Sequence, residues 1–274
     1  MRPPLPLLLL GGGLVAALFC TDHPAVLAGG VVAALALLLA APGSARTPIL
    51  LGLLLAVPVA LLNPFVAVEG DLVLVAGPSF PVLDLEVTLE ELIYGAALGA
   101  RLFAVTLLVV ALLRLADADR LQARASRVAP RSALTVALAA RLVPVLRADA
   151  SAIGEAARLR GVAPAGRSAG ALLVPLAATS LERGLDQAEA MVARGYGAGH
   201  RTTLPERPLQ PREWAASALG AATIPLAVAL FAGLAPYAYY PRADPALDLA
   251  GVAAGAALAI AGIAGGLLLR PEAR

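Results

Sequence analysis

Two arginine–glycine steps, Arg160-Gly161 and Arg194-Gly195, each close a long amphipathic stretch in a chain otherwise written in Leu, Ala and Val. A guanidinium in a last helical turn meets the negative end of the helix dipole. A glycine after it can take the left-handed conformation that ends a helix. One such step is ordinary helix termination, worth about 0.3–1 kcal/mol. Two of them also suit docking, because a guanidinium held at an exposed tip can enter a groove and pair with its carboxylates or carbonyls. Paired tips fit a partner with two similar grooves, such as a dimeric motor. Residue types alone leave both readings open.

The other reactive residues do not assemble into a site. Glu90-Glu91 begins like the Glu-Glu-x-x-x-Arg signature of an intramembrane protease, but Gly95 stands where the arginine is needed. These acids read better as first-turn residues of a helix, where the dipole favours negative charge. His23 and His200 fall in loops on opposite sides of the membrane, and Cys20 is the one cysteine, so neither a metal centre nor a disulfide is expected. No phosphate-binding Gly-x-x-x-x-Gly-Lys-Ser/Thr loop occurs, and there is no lysine at all, so the chain is not itself an ATPase. No cofactor is expected. A net charge of +2 is too small to imply a nucleic-acid partner.

Only 15% of the 274 residues are charged, against about 25% in a soluble domain, and the apolar residues come in long blocks. The fold class that follows is an all-α polytopic membrane protein. Spans are expected at 4–20, 25–41, 47–63, 93–115, 214–235 and 247–269, each near the ~17–25 residues that a crossing needs. The first reads as a retained span and not as a cleaved leader, since no small-x-small site follows it. Arginine placement puts both termini in the cytoplasm of a cell whose inner membrane holds the chain. Arg2, Arg46, the Arg-rich stretch 114–212, Arg270 and Arg274 then lie inside, and only Arg242 lies outside. The loop 64–92 is acidic, has no arginine and contains two alternating stretches, "DLVLVAG" and "PVLDLEV", that predict a small hairpin. Three regions result: 1–115 with four spans, 116–212 as a cytoplasmic block, and 213–274 with two spans.

Within the block, Asp117 or Asp119 can cap a helix through Val128, ended by Pro130; Pro144 marks a bend before a helix that runs to Arg160-Gly161. A further helix, from near Ser168 with a bend at Pro175, ends at Arg194-Gly195. There Leu181, Leu185, Ala188 and Val192 share one face. Glu182, Asp186 and Glu189 line a second face, and Arg183, Gln187, Ala190 and Arg194 a third. Gly95 and Gly99, like Gly251, Gly255, Gly262 and Gly266, are spaced for close helix packing, in the first place within this chain. Arg101 inside a span calls for a polar partner or for snorkelling to the interface.

The segments "LLNPFVAVEGD", "VTLEELIYGAALGARLFAV", "DADRL", "APRSALTVALAARLVPVLRADA" and "SLERGLDQAEAMVARGYG" run in order from Leu61 to Gly197. In them the chain resembles the transmembrane T component of energy-coupling-factor (ECF) transporters, the EcfT/CbiQ family. The resemblance implies a membrane scaffold whose coupling helices end in Ala-Arg-Gly motifs that bind grooves of two ABC-type ATPases, and which holds a small membrane S component that binds the substrate. Carried over by position, the second motif is Ala193-Arg194-Gly195. The first is Leu159-Arg160-Gly161, with Leu in place of Ala. Glu182, Arg183 and Glu189 would support the second coupling helix. Two other readings remain at this stage: the permease of a conventional ABC importer, from "EAARLRG" and Val174-Pro175, and an intramembrane enzyme.

Overall fold

The computed structural model describes residues 4–63, 72–75, 87–161, 170, 173–197, 199, 208–239 and 248–270. Among them it forms nine helices and one pair of short strands. The helices α1 (Pro4–Phe19), α2 (Pro24–Ala40), α3 (Arg46–Leu62) and α4 (Leu89–Leu115) come first, with β1 (Val73–Val75) and β2 (Val87–Thr88) between α3 and α4. Then follow α5 (Ala118–Val128), α6 (Pro130–Leu159), α7 (Leu173–Ala193), α8 (Pro211–Phe231) and α9 (Leu249–Leu268). Two compact units emerge: Met1–Arg120 with Pro208–Arg274, and Leu121–Arg207.

The first unit is a membrane protein of several spans. α4, α8 and α9 are long and apolar enough to cross a bilayer; α1, α2 and α3 are as apolar but only 16 or 17 residues long. Each expected span falls on one of these six helices. α8 lies earlier than expected by three residues at its start and four at its end, and α4 starts at Leu89 and not at 93. The reason is local: Thr88 accepts the Glu91 N–H through its hydroxyl at 3.3 Å, and the Glu91 carboxylate accepts the Thr88 N–H at 3.0 Å. This reciprocal cap starts the helix a full turn earlier. Glu90 and Glu91 are therefore first-turn acids, as expected, but they are also buried, 1% and 0% exposed. Glu90 accepts the N–H of Leu72, and the Leu89 N–H donates to the Leu72 carbonyl at 3.0 Å. β1 and β2 pair antiparallel beside this cap; β1 lies within the first alternating stretch and β2 begins at the last residue of the second, while the rest of the expected hairpin, 76–86, lies outside the described residues.

Helix packing in this unit runs through glycine. α2 lies along α9, α1 along α8, and α3 and α2 along α4. A methyl group on Gly255 would stand 2.2 Å from the Ala25 carbonyl oxygen, and one on Gly29 would stand 2.0 Å from that of Gly255. Gly262 meets Ala33, and Gly266 meets the Ala36 carbonyl. Gly220 of α8 faces the backbone of Leu9 and Leu10, while Gly95 and Gly99 face Ala60 and Ala56 of α3. The small-residue faces are thus used inside the chain. Between them Leu10, Leu14, Leu18, Leu37, Leu38, Leu107, Leu108 and Leu258 form a core with less than 2% exposure. α3 is the outlier. Its Leu50, Leu54, Leu61 and Leu62 are 58–69% exposed, as befits a helix that borders lipid.

Arg101 finds the carboxylate that its burial requires. Its Nη2 donates to Asp22 Oδ1 and to the Thr21 carbonyl, both at 2.6 Å, tying the middle of α4 to the α1–α2 turn. The Tyr239 hydroxyl donates to the Asp22 carbonyl at 2.5 Å. Burial raises the Tyr239 phenol well above its usual range, so it remains a donor. Edge-to-face contacts continue the cluster from Tyr94 through Tyr239 and Tyr237 to His23.

His23 itself is fully buried against Gly251, and neither ring nitrogen has a hydrogen-bond partner among the described residues. Desolvation lowers its pKa, against the pull of Asp248. The native state therefore binds fewer protons at His23 than the unfolded state. The stability this confers is complete above the ordinary value of 6.5 and is lost as the pH falls below it. Thermal unfolding should show a loss of at most about 1.4 kcal/mol per pH unit there. His23→Phe keeps the ring and should flatten that dependence; an unchanged slope in the variant would assign it to other groups.

The second unit departs from expectation at its prolines. Pro130 does not only end α5; it occupies the first turn of α6, where a missing N–H costs nothing. The helix then runs unbroken through Pro144 for 30 residues, in place of two shorter pieces. Pro175 falls likewise in the first turn of α7. Asp117 Oδ1 accepts the Asp119 N–H at the start of α5. Residues 162–169 lie outside the described residues, and with them the expected helix start near Ser168.

Candidate functional site

The ends of α6 and α7 are built alike. After Ala193, the Gly195 N–H donates to the Val192 carbonyl and the Tyr196 N–H to the Met191 carbonyl, both at 2.9 Å. These two bonds define a Schellman cap. It requires a left-handed residue, and Gly195 has φ +80°. At α6 the Gly161 N–H donates to the Arg158 carbonyl at 2.9 Å, with Gly161 at φ +77°. A methyl group on either glycine would meet nothing within 4 Å, so backbone conformation, not space, calls for glycine here. Arg160 and Arg194 thus stand at the capping position itself, one residue beyond the last helical turn in which the sequence placed them.

The cap alone is not distinctive. α8 ends in the same two bonds around Gly233, at φ +89°, and there the capping residue is Ala232. What sets α6 and α7 apart is the guanidinium. Arg160 and Arg194 are exposed, and neither makes an ion pair or side-chain hydrogen bond among the described residues. Apolar side chains stand beside them: Leu159 is 90% exposed, Val192 70% and Tyr196 52%. Ala193 is exposed as well. Each helix end carries a cation beside apolar side chains, on a backbone that the cap holds. Such a group binds acceptors without first losing backbone freedom.

The supporting residues divide. Arg183 donates through Nη2 to Asp149 Oδ2 at 2.9 Å, which fastens α7 to α6. Glu182 and Glu189 are exposed on α7 and make no such link among the described residues. The position of the bridge could not be read from the sequence, yet it is regular: eleven residues separate Asp149 from Arg160, and eleven separate Arg183 from Arg194. At 1.5 Å per residue each tip lies about 16 Å beyond the bridge along its own helix.

The apolar face of α7 is not buried within the chain. None of its residues is buried, and Leu181 and Leu185 are 69% and 59% exposed. Ala188, Met191 and Val192, with Leu138 and Leu142 of α6, line an open groove of about 490 Å³. An exposed apolar surface of this kind marks a place where another molecule binds.

A comparison with curated proteins finds no match. Among protein families, the model of CbiQ, described as cobalt transport protein, matches residues 6–204, from the first turn of α1 to beyond the Arg194 cap. A polytopic chain that is matched over well more than half its length in this way belongs to the CbiQ family of cobalt transport proteins.

Proposed function

We propose that this chain is the transmembrane scaffold, or T component, of an energy-coupling-factor importer in the inner membrane. It carries no chemistry of its own. Two ABC-type ATPase subunits dock on its cytoplasmic block, 116–212, through Arg160-Gly161 and Ala193-Arg194-Gly195. A small membrane S component binds the substrate and is held by the scaffold. Both termini lie in the cytoplasm, and six helices cross the bilayer. The family's description makes cobalt the first candidate for the cargo; a vitamin is the other class that S components of such importers carry.

The single observation that carries this reading is the pair of exposed guanidiniums, each at a glycine-capped helix end. ATP binding closes the two ATPases on one another and moves the docked tips together. The Asp149–Arg183 bridge links the two arms. The displaced helices shift the apolar surface that holds the S component, and the S component reorients and releases its substrate inside.

The test is purification of the tagged chain from its own host in mild detergent, with identification of what accompanies it. Two ABC ATPases and a small polytopic protein support the T-component reading, and the small protein names the substrate class. ATPases with an extracytoplasmic binding protein would replace it by a conventional permease. A well-folded sample with no ATPase would end both readings.

A further inference from the structure

Only Ala116 and Asp117 separate the last residue of α4 from the first of α5, a reach of no more than about 11 Å. α4 leaves the membrane at this end. Arg114, in its last turn, donates through Nη1 to the Ser44 carbonyl of the α2–α3 turn at 2.9 Å. By chain connection alone, α5 begins at the level of the phospholipid headgroups.

The sequence of α5, ADRLQARASRV, is divided round its axis. Arg120, Arg124 and Arg127 stand at i, i+4 and i+7 and form a stripe about 10 Å long. Leu121, Ala125 and Val128 each follow one of these arginines by a single residue, so they form a parallel stripe about 100° round the helix. All three are exposed, Val128 by 89%. Asp119 is the one acid of the helix, and two residues before Leu121 it falls on the side away from the apolar stripe. Three arginines against one aspartate give α5 a net charge of +2. Arg120 also meets Asp117, but at 3.8 Å this pair is a loose one.

An exposed apolar stripe flanked by arginines, with the acid turned away, is the pattern of a helix that lies in a membrane interface. A protein groove could take the apolar stripe, but headgroups are what already stands where α4 emerges. We propose that α5 lies along the membrane surface and binds anionic phospholipid, with Leu121, Ala125 and Val128 at the edge of the acyl chains and Arg120, Arg124 and Arg127 among the headgroup phosphates. A zwitterionic surface offers phosphates without net charge, so the surface potential makes the arginines prefer anionic headgroups. Such docking needs only that α4 crosses the bilayer, and it stands or falls apart from the ATPase contacts.

The test uses the full chain carrying Cys20→Ser and Val128→Cys, spin-labelled at position 128, in nanodiscs of phosphatidylcholine with or without phosphatidylglycerol. Collision with a water-soluble nickel chelate reads exposure to water, and collision with oxygen reads contact with acyl chains. With phosphatidylglycerol the label should be shielded from nickel and open to oxygen; in phosphatidylcholine alone nickel should reach it. Each change of Arg120, Arg124 or Arg127 to Gln should lower the docked-to-free ratio on the order of fivefold, and high salt should act in the same direction. Lysine at all three positions should keep the shielding, because it keeps the charge. A label open to nickel in the anionic disc would overturn the proposal. So would shielding that is equal in the two lipids or that survives Gln at all three positions, since the apolar stripe would then be covered by protein and not held by charge.

Discussion

Reversal of both tip charges, Arg160→Glu with Arg194→Glu, should reduce uptake to background while the protein still inserts at normal levels. Each single change should weaken ATPase assembly by a factor of at least about 30. The estimate follows from the roughly 2–5 kcal/mol lost when one member of a desolvated charge pair is removed from an interface. Insertion should be unaffected, because both side chains are exposed and neither supports the fold through an ion pair among the described residues. The caps should also persist, since they rest on backbone bonds around Gly161 and Gly195. Co-purification of ATPases and substrate uptake in whole cells are the two measurements. Normal uptake by the double variant would show that these residues merely end their helices, as Ala232 does at α8.

The second large effect concerns the fold. Gly255→Leu should prevent stable assembly of α2 with α9. The added Cβ would stand 2.2 Å from the carbonyl oxygen of Ala25, and 2.8 Å from its carbon. Neither atom can move aside as a flexible side chain would, so the helices must separate. Overpacking costs about 1–3 kcal/mol where side chains can adjust, and more where they cannot. The cost here should exceed the upper figure. Gly12→Leu is the matched control: Gly12 is exposed on α1, and a Cβ there meets nothing within 4 Å. In detergent, Gly255→Leu should aggregate or melt far below the parent and Gly12→Leu should not. Equal melting of the two would mean that the glycine contacts are looser than described.

The helices of the membrane unit were legible because a long apolar block has few alternatives. α2 and α3 begin within one residue of expectation. Where the sequence misled, local chemistry decided the outcome. Glu90 and Glu91 are the first-turn acids that the sequence indicates, but the span they open is expected only from 93; α4 starts at Leu89 because Thr88 and Glu91 exchange bonds across its first turn. Pro144 looked like an interruption, but a proline can sit within a long helix whose other turns hold it in register. The arginine tips were legible from the Arg-Gly steps. Their partner bridge was not, because Asp149 and Arg183 lie 34 positions apart and nothing local links them. The same holds for Arg101 and Asp22, 79 positions apart. A need for a carboxylate could be inferred, but its identity could not. The tyrosine cluster had a faint signal: Tyr94, Tyr237 and Tyr239 are three of only five tyrosines, and all fall beside predicted span ends.

The unequal lengths of the helices have a consequence for the bilayer itself. α1, α2 and α3 rise only about 24–26 Å, whereas hydrocarbon is ~30 Å thick and α8 and α9 match it. Lipid beside the exposed leucines of α3 must therefore thin by several ångströms, at a fraction of a kcal/mol per ångström. Thinning of this kind would be a dent in the bilayer along α3. Such a dent is an attraction without contact. Any other membrane protein with short helices relieves part of the strain by moving into it, and is drawn to the α3 flank before a single side chain has been recognised.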